Sequence, residues 1–258
     1  MATAVVAHTH VSYLREHSIG GILRSSFQIY RENFRTLFLI YTLPILPFMI
    51  AQQEAQAAGA TSLALLVAFL NIFVSLFAFA AITVAISDSC LGERPTVMRS
   101  YRRLGGPAVG RLAWANLLQM FAVMGGMLLL LVPGVILMFR LLFTPIVATI
   151  ENCRGTAALK RSASLGKGFH GRNLGVLVVL MAVSGALVFG IMIVTVVLLV
   201  VAGEESASVM GVLTRTLFGL FLLSLYPLTF TALTVMYYDL RVRKEAYDLN
   251  TLAEDLRR

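Results

Sequence analysis

Few residues in this sequence combine a type and a spacing that could do chemistry. The most pointed is Arg140, which stands inside an otherwise apolar run, VPGVILMFRLLF. An arginine at membrane depth is costly and is a functional candidate by default. Its long side chain can also reach the nearest boundary, here the Pro133-Gly134 turn, or pair with a neighbouring helix. Asn71, Asn116 and Gln119 are further polar groups in apolar surroundings, and with Arg140 they form a candidate intramembrane polar site. Amides in such positions more often hold helices together than bind a substrate. A second set, Asp88, Glu151, Arg161, Asp239, Arg241 and Arg243, lies at the ends of the apolar runs as a candidate charged cluster on one membrane face. Its acids would pair with the basic flanks of neighbouring spans and tie the bundle together there.

The remaining motifs point away from catalysis. His8, His10 and His17 have no Cys or acid at metal-ligand spacing and read as part of a flexible N-terminus over residues 1–17. The chain contains no phosphate-binding Gly-Lys-Ser/Thr loop, dinucleotide fingerprint, HExxH or nucleophile elbow. The expectation is no enzyme, no catalytic residue, no metal and no cofactor. Cys90 and Cys153 are too few for a disulfide framework.

Composition says what must position these residues. Of 258 residues 58% are hydrophobic and only 13% charged, with a mean hydropathy of +0.83, well outside the range of soluble globular domains. A hydrocarbon core about 30 Å thick takes about 20 apolar helical residues to cross. Six spans meet or approach that length: 37–51, 62–87, 112–132, 135–150, 174–202 and 211–238. The fold class is therefore an all-α polytopic membrane bundle, with residues 18–239 as membrane domain and 240–258 as a cytoplasmic tail.

The net charge of +8 could suggest nucleic acid, but the basic residues flank the apolar runs instead of forming a separate module, so no nucleic-acid partner is expected. Nineteen of the 21 Lys and Arg residues fall before span one, between spans two and three, between spans four and five, or in the tail. The alternate loops carry none. By the positive-inside rule both termini are cytoplasmic and anionic lipid headgroups are the expected partners, alongside an unknown membrane protein. Spans three and four share a minimal connection, and the charge pattern alone does not separate six spans from four plus a re-entrant hairpin.

The basic segments recur. Arg24-Ser25, Arg99-Ser100 and Arg161-Ser162 each stand 13 positions before the start of an odd-numbered span, at Leu37, Leu112 and Leu174. Ile19, Leu23, Phe27, Tyr30 and Phe34 have helical spacing, which predicts an interfacial amphipathic helix. The expected unit is such a helix followed by a transmembrane hairpin, three times over. Ala182, Ala186 and Gly190 make a small-residue stripe expected to pack closely, and Gly125-Gly126 is expected either to pack or to loosen span three. In the tail, Thr251 and Glu254 have capping-box spacing, and Leu249, Leu252 and Leu256 share a face for docking.

Three stretches carry a family resemblance: SSFQIYRENFRTLF at 25–38, VPGVILMFRLLFTPIVATIENCRGTAALKRSASLGKG at 132–168, and YYDLRVRKEAYDL at 237–249. Together they resemble the bacterial membrane-domain family named after glycerophosphoryl diester phosphodiesterases. The resemblance implies the membrane module alone, in a bacterial inner membrane, because the chain has no room for the catalytic barrel fused to some relatives. The expected function is a non-enzymatic module that organises lipids or partners at the cytoplasmic face. The alternatives are a transporter or channel for an amphiphilic or anionic small molecule, and the membrane part of a glycerophosphodiester-metabolising system. The topology is checked by single cysteines in a cysteine-free background. Those replacing Gln53 and Ser206 are expected to react with an impermeant thiol reagent on intact cells, and those replacing Gly92 and Gly168 only after permeabilisation.

Overall fold

A computed structural model describes residues 14–256, apart from the side chains of Pro107, Leu199 and residues 202–216. His8, His10, Arg257 and Arg258 lie outside the described residues. Among those described, the chain is helical with no strand. In hydrocarbon each backbone N–H and C=O must be paired within the protein, and a helix pairs them within itself. The elements are α1 (Ile19–Glu32), α2 (Phe34–Ala57), α3 (Thr61–Cys90), α4 (Val97–Arg103), α5 (Pro107–Leu129), α6 (Leu131–Arg140), α7 (Thr144–Ile150), α8 (Gly155–Gly166), α9 (His170–Glu245) and α10 (Leu249–Asp255). Six helical stretches are long and apolar enough to cross a membrane, namely Phe34–Ala57, Thr61–Cys90, Ala108–Leu129, Leu131–Ile150, His170–Leu198 and Leu217–Glu245. The protein is a multi-pass membrane protein. The order interfacial helix then hairpin occurs three times, headed by α1, α4 and α8, and Ser25, Ser100 and Ser162 are buried in all three.

Packing is concentrated at one end. Every residue from Ala78 to Cys90 in α3 is buried, as are nearly all of α7 and Tyr237, Tyr238 and Leu240 of α9. The opposite ends expose Leu65, Leu66, Leu128, Leu129, Val200 and Val201, an apolar surface whose natural solvent is lipid.

Four expectations are corrected. The turn joining spans three and four is not at Pro133-Gly134 but at Leu130, whose φ of −161° and ψ of 141° interrupt the helix. Pro133 is in the first turn of α6, where backbone N–H groups lack helical partners and its missing donor costs little. Gly134 permits close approach: a Cβ there would lie 2.6 Å from the backbone N of Met127, and one on Gly126 3.0 Å from Cα of Gly134. Gly125 touches nothing, so of the glycine pair only Gly126 packs.

The fourth span is not one helix either. It breaks over residues 141–143, between α6 and α7. The freed groups are satisfied by one buried hydroxyl, since Ser162 Oγ accepts from Phe143 N and donates to the carbonyl of Arg140, both at 3.1 Å.

The expected loop at 203–210 is helical, within one assignment running from His170 to Glu245. Arg172 nevertheless donates to Asp239, and a straight helix would separate them by about 100 Å. The chain therefore reverses direction within α9, and spans five and six form a hairpin as expected.

The stripe Ala182, Ala186 and Gly190 is exposed, and only 11% of its span is buried within the chain. A Cβ on Gly190 would meet nothing, so the stripe is not an internal packing face. Replacing Ser162 by Ala leaves the break at 141–143 with an unpaired N–H and C=O. A loss of about 1–3 kcal/mol is expected, read as a lower unfolding temperature in detergent.

Candidate functional site

The three even-numbered spans end on acids at the densely packed end, and each acid meets an arginine. Asp88, fully buried, accepts from Arg103 Nη1 at 2.5 Å and lies 3.5 Å from Arg99 Nε, both on α4; Arg99 also pairs with Glu93. Glu151 is 2.6 Å from Arg161 Nε on α8 and accepts from the Tyr237 hydroxyl at 2.9 Å. Asp239 accepts from Arg172, from Arg243 Nε at 3.0 Å, and from the backbone N–H of His17 at 2.6 Å. The pattern is cyclic. Asp88 and Glu151 hold the interfacial helix that follows each in sequence, while Asp239, at the end of the last span, holds the residue just before the first one.

The candidate charged cluster is thus three knots instead of one site. Glu151, Arg161 and Arg241 are brought together with Glu245 and Asp255: Arg161 Nη2 is 2.6 Å from Glu245, and Arg241 is 2.9 Å from Glu245 and 2.8 Å from Asp255. Arg241 also stacks on Tyr247, 3.7 Å from the ring centre. Asp239 and Arg243 form a second knot with His17, Arg172 and Glu16, and Asp88 a third. The third span meets the end of the fourth through Arg111 of α5, which donates to Asn152 Oδ1 at 2.6 Å just after α7.

His17 is an exception to the expected flexible terminus over 1–17, of which residues 1–13 lie outside the described residues. It is 3% exposed, its carbonyl accepts from Arg172 and Arg243, and its Nε2 is 3.0 Å from Ser25 Oγ. Burial holds its imidazole below the usual value, against the raising effects of a hydrogen bond to the Arg15 backbone and the charge of Asp239. The sequence carries a signal for its place: Ser18 is of a type that caps helices, and it caps α1 by accepting from Gly21 N, which makes His17 the residue leading into that helix. Glu245 and Asp255 carried no comparable signal, since a chain reversal and a docked tail bring them in. That tail helix, α10, buries Leu252 completely. It is capped by Asp248, which accepts from Thr251 N at 2.9 Å, in place of the expected Thr251–Glu254 box.

The candidate intramembrane site does not assemble. Asn116 and Gln119 line a cleft of about 250 Å³ with Ile72, Leu76 and Met138. Arg140 lines a different one, of about 330 Å³, with Phe139, His170 and Leu174, and Asn71 lines neither. Arg140 ends α6 beside His170, where α9 begins, so it lies toward the charged end and not at the Pro133-Gly134 side. The reason is the short α6, which stops ten residues after the turn. The side-chain oxygens of Asn71, Asn116 and Gln119 are buried without a hydrogen-bond partner among the described residues. Also among those residues, no three His, Cys, Asp or Glu side chains converge as a metal site.

No family model, no curated protein and no solved structure matches this chain. Removal of Asp239 strands two partly buried guanidinium groups, so Asp239→Ala is expected to cost about 3–5 kcal/mol. Glu16→Ala, at the exposed rim of the same knot, is expected to leave the unfolding temperature unchanged within error.

Proposed function

We propose that this chain is a non-enzymatic membrane module, with both termini cytoplasmic, that organises anionic lipids or a partner protein at the inner face of a bacterial cytoplasmic membrane. The observation that carries this reading is the division of the basic residues into two populations. Arg99, Arg103, Arg161, Arg172, Arg241 and Arg243 are spent on internal carboxylates. Arg24, Arg31, Arg35, Arg94, Arg102 and Arg154 are exposed and have no ion pair among the described residues. Those left over flank the apolar spans, where headgroup phosphates lie. Phe27 and Met98, 57% and 76% exposed on α1 and α4, provide apolar anchors beside them. A resemblance to the glycerophosphoryl diester phosphodiesterase membrane family, part of the same proposal, fits the role of a membrane module.

A second reading, transport of an amphiphilic or anionic small molecule, draws on the buried amides of Asn116 and Gln119 in their cleft and on the broken fourth span. Discontinuous helices at membrane depth are a common setting for substrate sites. Proteoliposomes separate the two readings. The module is expected to cluster labelled anionic lipid, seen as energy transfer between headgroup dyes, without releasing an entrapped anionic dye. Dye release without clustering would replace it with the transport reading.

A further inference from the structure

A cleft opens in the neighbourhood of each junction between an interfacial helix and the span that follows it. At the α4–α5 junction it contains Arg103 and Arg111, and near the α8–α9 junction Arg140 and His170. At the α1–α2 junction it is larger, about 660 Å³, and contains Arg31, Arg35 and Arg94. These three arginines come from three places: the last turn of α1, the first turn of α2, and the α3–α4 connection. The first junction differs from the α4–α5 one in how its arginines are held. Arg103 is bound to Asp88 and Arg111 to Asn152, whereas Arg31, Arg35 and Arg94 are exposed and unpaired among the described residues. One carboxylate, Glu32, shares the cleft and accepts from Gln28 at 2.9 Å, which leaves two positive charges in excess.

We propose that this cleft holds the phosphate of an anionic lipid headgroup. Three planar guanidinium groups around a small concavity match the several acceptor oxygens of a phosphate. What favours a lipid over a soluble anion is the surface that continues from the cleft. Leu39, Leu43, Leu46 and Ile50 are all exposed and follow one another at i, i+4, i+7 and i+11 along α2, beyond an exposed Phe34 on the cleft wall. That spacing places them on one helix face, a track for acyl chains running away from the phosphate. The proposal rests on the lipid-organising reading and assigns its site.

The test uses the full chain in phosphatidylcholine nanodiscs, titrated with a fluorescent phosphatidylglycerol. The cleft variant R31Q/R35Q/R94Q is compared with R15Q/K160Q/K167Q, which removes the same charge from exposed positions outside the cleft. Each lost arginine contact near a membrane surface is worth about fivefold in affinity, so the cleft variant is expected to lose more than about tenfold. The control is expected to stay within about twofold, with both variants melting as the unmodified chain does. Inorganic phosphate at millimolar concentration is expected not to displace the lipid. Equal loss in both triple variants, or none in the cleft variant while the unmodified chain still prefers phosphatidylglycerol, overturns the cleft and leaves the lipid-organising reading standing. No preference in the unmodified chain overturns both. Displacement by inorganic phosphate overturns the lipid as occupant and makes this a soluble phosphate site.

Discussion

Three carboxylates at one end of the membrane-crossing helices, Asp88, Glu151 and Asp239, determine where the short helices α1, α4 and α8 of this protein lie. A carboxylate removed from water is tolerable only when cations and hydrogen-bond donors surround it, and each of these has them from a segment outside its own span. Asp239 closes the set, since it joins the end of the sixth span to the backbone ahead of α1. The arrangement is a ring of helices whose first and last members are fastened through one buried acid.

That fastening explains the uneven packing. Around the three acids the helices are held close enough to bury whole turns of α3 and α9, Tyr237 and Tyr238 among them, together with Phe143 at the break in the fourth span. Away from them nothing polar draws the helices together, and hydrocarbon gives apolar side chains little reason to prefer each other over lipid. The fifth span shows the limit, with its small-residue stripe facing outward. The exception is the Gly126–Gly134 crossing, where the absence of side chains lets α5 and α6 meet backbone to backbone.

The same logic separates structural arginines from available ones. Arginine near a membrane boundary satisfies the positive-inside rule wherever it points, so composition does not distinguish the two kinds. Carboxylate partners do. At the second and third interfacial helices acids precede the arginines closely in sequence and consume them. The first is preceded by a single acid, Glu16, which pairs with Arg243, and it shares Asp239 from the far end of the chain, which meets a backbone N–H, Arg172 and Arg243. Arg31, Arg35 and Arg94 are left exposed, with no ion pair among the described residues.

Much of this was legible in the sequence. Apolar run lengths determined six membrane-crossing helices, because the bilayer sets one length for all of them. The recurring Arg-Ser pairs mark the three short helices α1, α4 and α8, and the acids ending spans two, four and six mark tie points. Only the tertiary structure decided which arginine each acid takes, that His17 is buried in a knot, and that Arg140, Asn71 and the Asn116–Gln119 pair do not share a cavity. It also decided that the fourth span breaks and that Ser162 bridges the break. The reason is physical: hydrophobic length and charge asymmetry are properties of local sequence read by the membrane itself, whereas a buried ion pair or a bridged helix break depends on which segments of a folded chain come within about 3 Å of each other.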